Sequence, residues 1–161
     1  MAPLDTAARN GTLECVKILF EWGAKPGSLD RVLYAAAGNT RLSDADGIPM
    51  MEYLLSLGTC DVNAGDNDQG PVYTAASALS GALSQENPER VRFLITKGAV
   101  PSLRAVLRGR QLRDRTANAE PLRLLEDARA ANGLPPAPEK IPDTDPLLFA
   151  PRPRGMKIAG I

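Results

Sequence analysis

The sequence predicts an all-α fold in which helix pairs stack into a solenoid, followed by an extended tail. Three octets that end in glycine superpose without a gap: VKILFEWG, MEYLLSLG and VRFLITKG, at residues 16–23, 51–58 and 91–98. Their apolar residues share one helical spacing, and such a stripe has to be buried against neighbouring helices. Each octet is preceded by a segment that ends in paired alanines: PLDTAA, VLYAAA and PVYTAA, at residues 3–8, 32–37 and 71–76. Because both segments recur in the same order, we expect a repeat protein.

The first helix pair is predicted at Leu4–Asn10 and Leu13–Trp22, joined by a turn at residues 11–12. Gly23 is expected to end the second of these helices, because a left-handed residue after the last turn excludes a side chain. No helix that could cover the outer side of this pair precedes it, and exposed solenoid ends normally need a polar cap. We therefore expect either that this uncapped N-terminal hairpin is its own cap, or that another segment, a second copy of the chain or a missing domain covers it.

The inner helix of the second pair is predicted to begin near Ser28 or Asp30, either of which can cap it, and to end at about Ala37. A polar, turn-rich stretch follows at residues 38–47. Pro49 is expected in the first turn of the outer helix, where its missing N–H has no cost.

The third pair is predicted with an inner helix from about Pro71 to Leu79 and an enlarged turn at residues 80–89. Pro88 is again expected in the first turn of the outer helix. The second and third pairs are therefore enlarged at the same place, between their two helices.

Residues 102–133 are interpreted as a degenerate fourth pair that caps the array. Leu103, Val106 and Leu107 form one helical face, and residues 119–133 form a second helix with a glycine stop. The segment that follows, residues 134–161, is rich in proline and cannot be helical. We expect it to be an extended tail, with a PxxP run at residues 135–138 that suits either a linker or a ligand of proline-binding domains.

Three short motifs carry a family resemblance. DVNA occurs at residues 61–64, and Gly-Ala follows two of the octet helices, at residues 23–24 and 98–99. Together with the paired-alanine segments this order resembles the ankyrin repeat family, whose repeat runs T-P-L-H-x-A-A, a second helix, G-A-D-V-N-A and a polar finger. The resemblance implies an ankyrin array over residues 1–133, with the following units: about 3–27, 28–66, 67–101 and the cap 102–133.

The resemblance also implies a function, which is non-catalytic binding of a protein partner. In ankyrin arrays the inner helices and the fingers form a concave face whose side chains are not needed for packing. The residues implied for partner binding are Arg9, Asn10, Asn39, Asp66, Asn67, Asp68, Gln69, Tyr73 and Ser77. These are mostly short polar groups over a neutral-to-acidic floor, which suits a polar or basic protein segment.

The composition and the motifs argue against most kinds of catalytic, metal-binding and nucleotide-binding site. The chain has no histidine, so imidazole catalysis and histidine metal sites are excluded. Its two cysteines, Cys15 and Cys60, cannot form a usual structural zinc site and are expected to be reduced. There is no glycine-rich phosphate loop, and DNDQG (residues 66–70) lacks the carboxylate spacing of a calcium loop. We therefore expect no enzyme, no metal and no cofactor.

Charge narrows the choice of partners. The formal net charge is zero, which gives no general attraction to nucleic acid or to an anionic membrane. Residues 1–100 carry 8 basic and 12 acidic side chains, whereas residues 101–161 carry 11 and 7. The basic excess includes Arg104, Arg108 and Arg115, which form either a solvated cap or a patch for an acidic ligand.

The sequence also indicates the cellular location of the protein. No apolar run approaches the roughly 20 residues of a membrane span, and the N-terminus lacks the layout of a signal peptide. We expect an intracellular protein of the cytoplasm or nucleus.

A competing hypothesis is a small enzyme or ligand-binding protein. It would use the enlarged turns at residues 38–47 and 80–89 to roof a pocket. A closed apolar cavity beneath those turns would favour this hypothesis, whereas an open groove would favour partner binding.

Overall fold

The computed structural model describes residues 3–26, 28–58, 60–66, 68, 77–84 and 88–141. Within these ranges it contains eight α helices and no strand, which confirms the predicted all-α class. The helices are α1 (Pro3–Asn10), α2 (Leu13–Glu21), α3 (Leu29–Ala37), α4 (Asp44–Ser56), α5 (Ala78–Leu83), α6 (Glu89–Thr96), α7 (Leu103–Thr116) and α8 (Glu120–Ala131).

The helices pack in pairs, and the pairs stack in chain order. Each odd-numbered helix contacts the even-numbered helix that follows it. The odd-numbered helices α1, α3, α5 and α7 form one row, and the even-numbered helices α2, α4, α6 and α8 form a second row. We call these the inner row and the outer row.

One apolar core runs between the two rows from the first pair to the last. It contains fully buried side chains from every pair, among them Leu4, Val16, Leu33, Met50, Leu54, Leu83, Leu94 and Leu125. Within the repeated octets, Leu54 and Leu94 are completely buried, and Leu19 is partly buried against the same core. The helical stripe that the octets share is thus the surface that the core buries.

The octet helices end as the glycines predict. Positive φ angles occur at Gly23 (83°), Gly58 (85°), Gly98 (100°) and Gly133 (74°). After α2, the N–H of Ala24 donates to the carbonyl of Leu19 over 2.9 Å, and after α6 the N–H of Ala99 donates to the carbonyl of Leu94 over 3.0 Å. These are the bonds that a left-handed glycine allows at a helix C-terminus.

Helix α4 begins earlier than predicted, so the expectation that Pro49 lies in its first turn is wrong. The helix starts at Asp44, and the N–H of Gly47 donates to the carbonyl of Ser43 over 2.7 Å. Pro49 is therefore inside the helix, where it cannot donate to the carbonyl of Ala45. Part of the enlarged turn at residues 38–47 is thus an added helical turn.

Helix α5 begins later than predicted. Ser77 is its N-cap: its side chain accepts a bond from the N–H of Ser80, whose own hydroxyl accepts a bond from the N–H of Ser77. The sequence predicts that the inner helix ends at Leu79, but α5 continues to Leu83. Its predicted first residues, 71–76, lie outside the described residues. The second enlarged turn therefore begins after Leu83 and not at residue 80.

The last pair confirms the two helices predicted for residues 102–133, with α7 about four turns long on the inner row and α8 on the outer row. Residues 134–141 contain neither helix nor strand and lie against this pair, where Ala137 and Ile141 pack on the core. None of the helices in the described ranges combines the length and the apolar character that crossing a bilayer requires.

Candidate partner-binding surfaces

Asn39 ties the second pair to the first. Its side chain is fully buried, and its Nδ2 donates to the carbonyls of Ala8 over 2.8 Å and Gly11 over 3.1 Å. Its Oδ1 accepts from the N–H groups of Arg41 over 2.9 Å and Leu42 over 3.3 Å. The predicted exposure of Asn39 is wrong, because its amide group is used to satisfy buried backbone groups.

Arg90 ties the third pair to the second in a similar way. Only 1% of its surface is exposed. Its Nη1 donates to the carbonyls of Ala37 over 3.0 Å and Asn39 over 2.6 Å, and its Nη2 donates to the carbonyl of Leu42 over 2.7 Å. Its Nε donates to the Asp44 carboxylate over 2.8 Å. The buried charge is therefore paired with one carboxylate, and each of the three guanidinium nitrogens is hydrogen-bonded.

Sequence reasoning did not single out Arg90. The neighbouring Arg92 is partly exposed and pairs with Glu89 and with Glu120 over 2.6 Å. Both arginines follow Pro88 on the same short helix, and local sequence does not separate them. The signal is long-range, because the acceptors of Arg90 lie about fifty residues earlier in the chain.

A second set of cross-pair bonds lies among the connectors, the segments that join one pair to the next. The Nδ2 of Asn63 donates to the carbonyl of Gly98 over 3.2 Å, and its Oδ1 accepts from the N–H of Val100 over 2.8 Å. Earlier in the stack, the N–H of Asp61 donates to the Asp30 carboxylate over 2.7 Å. The DVNA motif thus fastens its connector to the start of α3 on one side and to the connector after α6 on the other.

The two acidic residues predicted for the finger are engaged at the start of α7. Asp66 accepts from the N–H of Ser102 over 3.1 Å and from the Ser102 hydroxyl, and Asp68 accepts from the N–H of Leu103 over 2.7 Å. Burial raises the pKa of Asp66, and its hydrogen bonds with Ser102 oppose that rise. Carboxylates at a helix N-terminus are stabilised by the helix dipole. Asp66 and Asp68 therefore stabilise the start of the fourth pair, although Asp68 is also exposed.

Other predicted site residues differ in their exposure. Ser77 is buried as the cap of α5, and Arg104 is buried with its Nη2 3.2 Å from the carbonyl of Gly65. The predicted exposure of these two residues is wrong, because both side chains bond to backbone groups. Arg108 is half-buried and Arg115 is exposed. Asn67, Gln69 and Tyr73 lie outside the described residues.

The inner-row helices carry seven arginines and three aspartates in the described ranges, so their charge is mainly positive. Arg9 on α1 lies over the ring of Tyr34 on α3, 5.4 Å from its centroid, and its Nε has no hydrogen-bond partner. Asn10 and Arg31 are exposed on the same two helices. On α7, four polar side chains recur at helical spacing: Arg104, Arg108, Gln111 and Arg115. Three of the four inner helices thus present arginine.

The first enlarged turn borders a groove of about 310 Å³. Its lining consists of Thr12, Leu13, Glu14, Leu42, Asp46 and Pro49. The groove is open, and the side chains of Glu14 and Asp46 are exposed. An open groove favours partner binding over a ligand pocket. No group of three or more acidic, cysteine or histidine side chains in the described ranges is arranged to hold a metal ion.

The two cysteines are free thiols in different surroundings. Cys15 is exposed at the start of α2, where the Thr12 hydroxyl donates to its Sγ and lowers the pKa of the thiol. Cys60 is half-buried, and its Sγ lies 3.5 Å from the carbonyl of Leu29. Burial, with the Asp30 carboxylate nearby, raises the pKa of Cys60 to about 12.

Comparison of the chain with protein-family models, with curated proteins and with solved structures gave no match in any of the three.

Proposed function

We propose that this chain is an array of the ankyrin-repeat type whose function is non-catalytic binding of a protein partner. The proposal is supported by four stacked helix pairs, by octets that end at left-handed glycines and by connectors that bond to one another through the DVNA motif. The observation that carries the function is the exposed surface of the inner row, which includes Asn10 and Arg31. Stacking does not use these two side chains, so they are available for recognition.

The charge of this surface favours an acidic partner segment over the polar or basic segment that the sequence suggested. The negative floor expected from Asp66 and Asp68 is engaged with the start of α7. Arg9, Arg31 and Arg108 remain on the inner row, and guanidinium groups bind carboxylates with paired hydrogen bonds. The proposed ligand is therefore an extended, acidic protein segment that lies across α1, α3 and α7.

Selection from a displayed peptide library tests this proposal. We expect the selected peptides to be rich in Asp and Glu, and their affinity in fluorescence anisotropy to fall about tenfold in the Arg31→Glu, Arg108→Glu double variant. The matched control is Arg123→Glu, an exposed arginine on the outer row, which should leave the affinity within about twofold. Selection of basic or neutral peptides, or equal losses in the two variants, would contradict the proposal.

A second copy of the chain is a further proposed partner, at the first pair. Ile18 and Trp22 lie one helical turn apart on α2, and 50% and 86% of their surfaces are exposed. A large exposed aromatic beside an aliphatic side chain is typical of an interface core. We propose that two copies associate through this stripe of α2.

A further inference from the structure

Residues 134–138 have a sequence that favours the polyproline II region. The segment reads Leu-Pro-Pro-Ala-Pro. Each proline has φ fixed near −65°, and the helical region is disfavoured for the three residues that precede a proline. These preferences, in a segment without helix or strand, favour the extended, three-residue-per-turn form that proline-binding domains recognise.

Two arginines of the last helix pair hold this segment against the array. The Nη1 of Arg110 donates to the carbonyls of Pro138 over 2.6 Å and Glu139 over 3.0 Å. At the other end, the Nη2 of Arg129 lies 3.3 Å from the carbonyl of Pro135. Arg129 is only 6% exposed and is itself anchored by a 2.9 Å bond to the carbonyl of Pro101. The segment is thus fixed at both ends by side chains that the fold positions.

The segment lies against the array with its proline side chains exposed to solvent. Ala137 is the residue that packs on the core, whereas Pro135, Pro136 and Pro138 are exposed. With three residues per turn, Pro135 and Pro138 share one edge, and Pro136 lies on the next. These are the two ridges that a proline-binding groove contacts in PxxP ligands.

Open space lies on both flanks of the segment. One depression, of about 500 Å³, separates the segment from the connector and includes Asp66 and Asp68. The other, of about 460 Å³, lies between the segment and the end of α8 and includes Glu126 and Asp127. The walls of a partner's groove can enter these depressions, and the exposed carboxylates of Glu126 and Asp127 favour a wall that carries basic side chains.

We propose that residues 134–138 are a pre-ordered polyproline II ligand for a domain with an aromatic-lined groove and basic flanking residues. Domains that bind such ligands include the SH3, WW and EVH1 classes. Holding the segment in its bound form removes part of the entropy that a free peptide loses on binding. This surface is on the last pair and does not depend on the inner-row proposal.

Titration of isotope-labelled SH3, WW and EVH1 domains with the full chain, followed by NMR, tests the inference. We expect at least one domain to bind with a Kd below about 1 mM. The Pro135→Ala, Pro138→Ala double variant should weaken that binding about tenfold, because it removes the outward edge. Pro3→Ala, which changes an exposed proline at the start of α1, is the matched control and should have no effect.

A second variant separates a pre-ordered ligand from a flexible linker that happens to contain prolines. Arg110→Gln removes the bonds to the carbonyls at residues 137–139 and keeps the prolines. We expect it to weaken binding roughly three- to tenfold while circular dichroism shows an unchanged helix content. Failure of all three domains to bind, an unaffected proline variant, or unchanged or tighter binding by Arg110→Gln would each overturn the inference.

Discussion

At the scale of single residues, long-range bonds decide which predicted site residues are available. Asn10 and Arg115 are exposed as the sequence predicts, because exposure of a helix face follows from local periodicity. Asn39 and Ser77 are not. Asn39 bonds to a carbonyl of the first pair, 31 residues earlier, which local periodicity does not place. Ser77 is used locally instead, as the N-cap of α5 that accepts from the N–H of Ser80.

Arg90 is the residue whose loss should matter most to stability. Replacing Arg90 with Met leaves three carbonyls and the Asp44 carboxylate without their donor, and we expect the free energy of unfolding to fall by about 3–5 kcal/mol. The measurement is urea denaturation followed by circular dichroism. The control is Arg92→Met on the same helix, which should have a much smaller effect because water solvates its exposed pairs. Equal losses would show that the buried bonds are not stabilising.

The two thiols should differ sharply in reactivity. Thiolate is the nucleophile, so iodoacetamide at pH 8 should label Cys15 quickly, and Cys60, with its pKa near 12, should remain unlabelled in the folded protein. Thr12→Val should slow the labelling of Cys15, since it removes the hydroxyl that lowers the pKa of that thiol. Mass spectrometry of tryptic peptides measures both rates. Faster labelling of Cys60 than of Cys15 would contradict this assignment.

At the scale of helices, the sequence predicts elements whose causes are local. The ends of α2, α4 and α6 follow from apolar stripes and from glycines that adopt positive φ. The start of α4 could not be predicted, because Gly47 lies beneath the Arg90 guanidinium and both are placed by packing between pairs. The start of α5 had a local signal in Ser77 and Ser80, but the paired alanines before it suggested a different register.

Close approach of inner-row helices gives a test at this scale. A Cβ at Gly81 would lie 2.7 Å from the carbonyl oxygen of Tyr34 and 3.1 Å from the backbone nitrogen of Gly38. We therefore expect Gly81→Ala to push α3 and α5 apart and to lower the free energy of unfolding by roughly 1–3 kcal/mol. The readout is thermal and urea unfolding.

The matched control for that substitution is Gly109→Ala on α7. There the nearest atom to the added Cβ, at 2.9 Å, is a terminal methyl of Leu125, which can rotate away. The loss should therefore be smaller than at Gly81, because a flexible side chain yields and a backbone does not. A larger loss at Gly109 would mean that the α3–α5 contact is looser than described.

At the scale of the whole molecule, the two ends of the stack differ in how far other residues cover them. Residues 134–141 lie across α7 and α8, held by Arg110 and Arg129. Among the described residues, nothing comparable covers Trp22 on α2. This asymmetry is not visible in composition, although the sequence does place the prolines at one end and an uncovered hairpin at the other.

Light scattering tests the proposed association of two copies at that end. We expect the protein to be dimeric at micromolar concentrations, and Trp22→Ser to shift it to monomer, because the substitution removes the large apolar contact. Leu134→Ser, which changes an exposed apolar side chain at the opposite end, is the control and should leave the dimer intact. A wild-type chain that stays monomeric at high concentration would refute the association.

The direction of the bonds from Asn39 and Arg90 has a consequence for synthesis. In both cases the donor lies later in the chain than the acceptor, by 46 to 53 residues for Arg90. A nascent chain emerging from the ribosome therefore displays the carbonyls of residues 37–42 to water until residue 90 has left the exit tunnel. Because translation adds about 5–20 residues per second, that interval is roughly 3–10 s. During it the second pair lacks the hydrogen bonds that Arg90 donates.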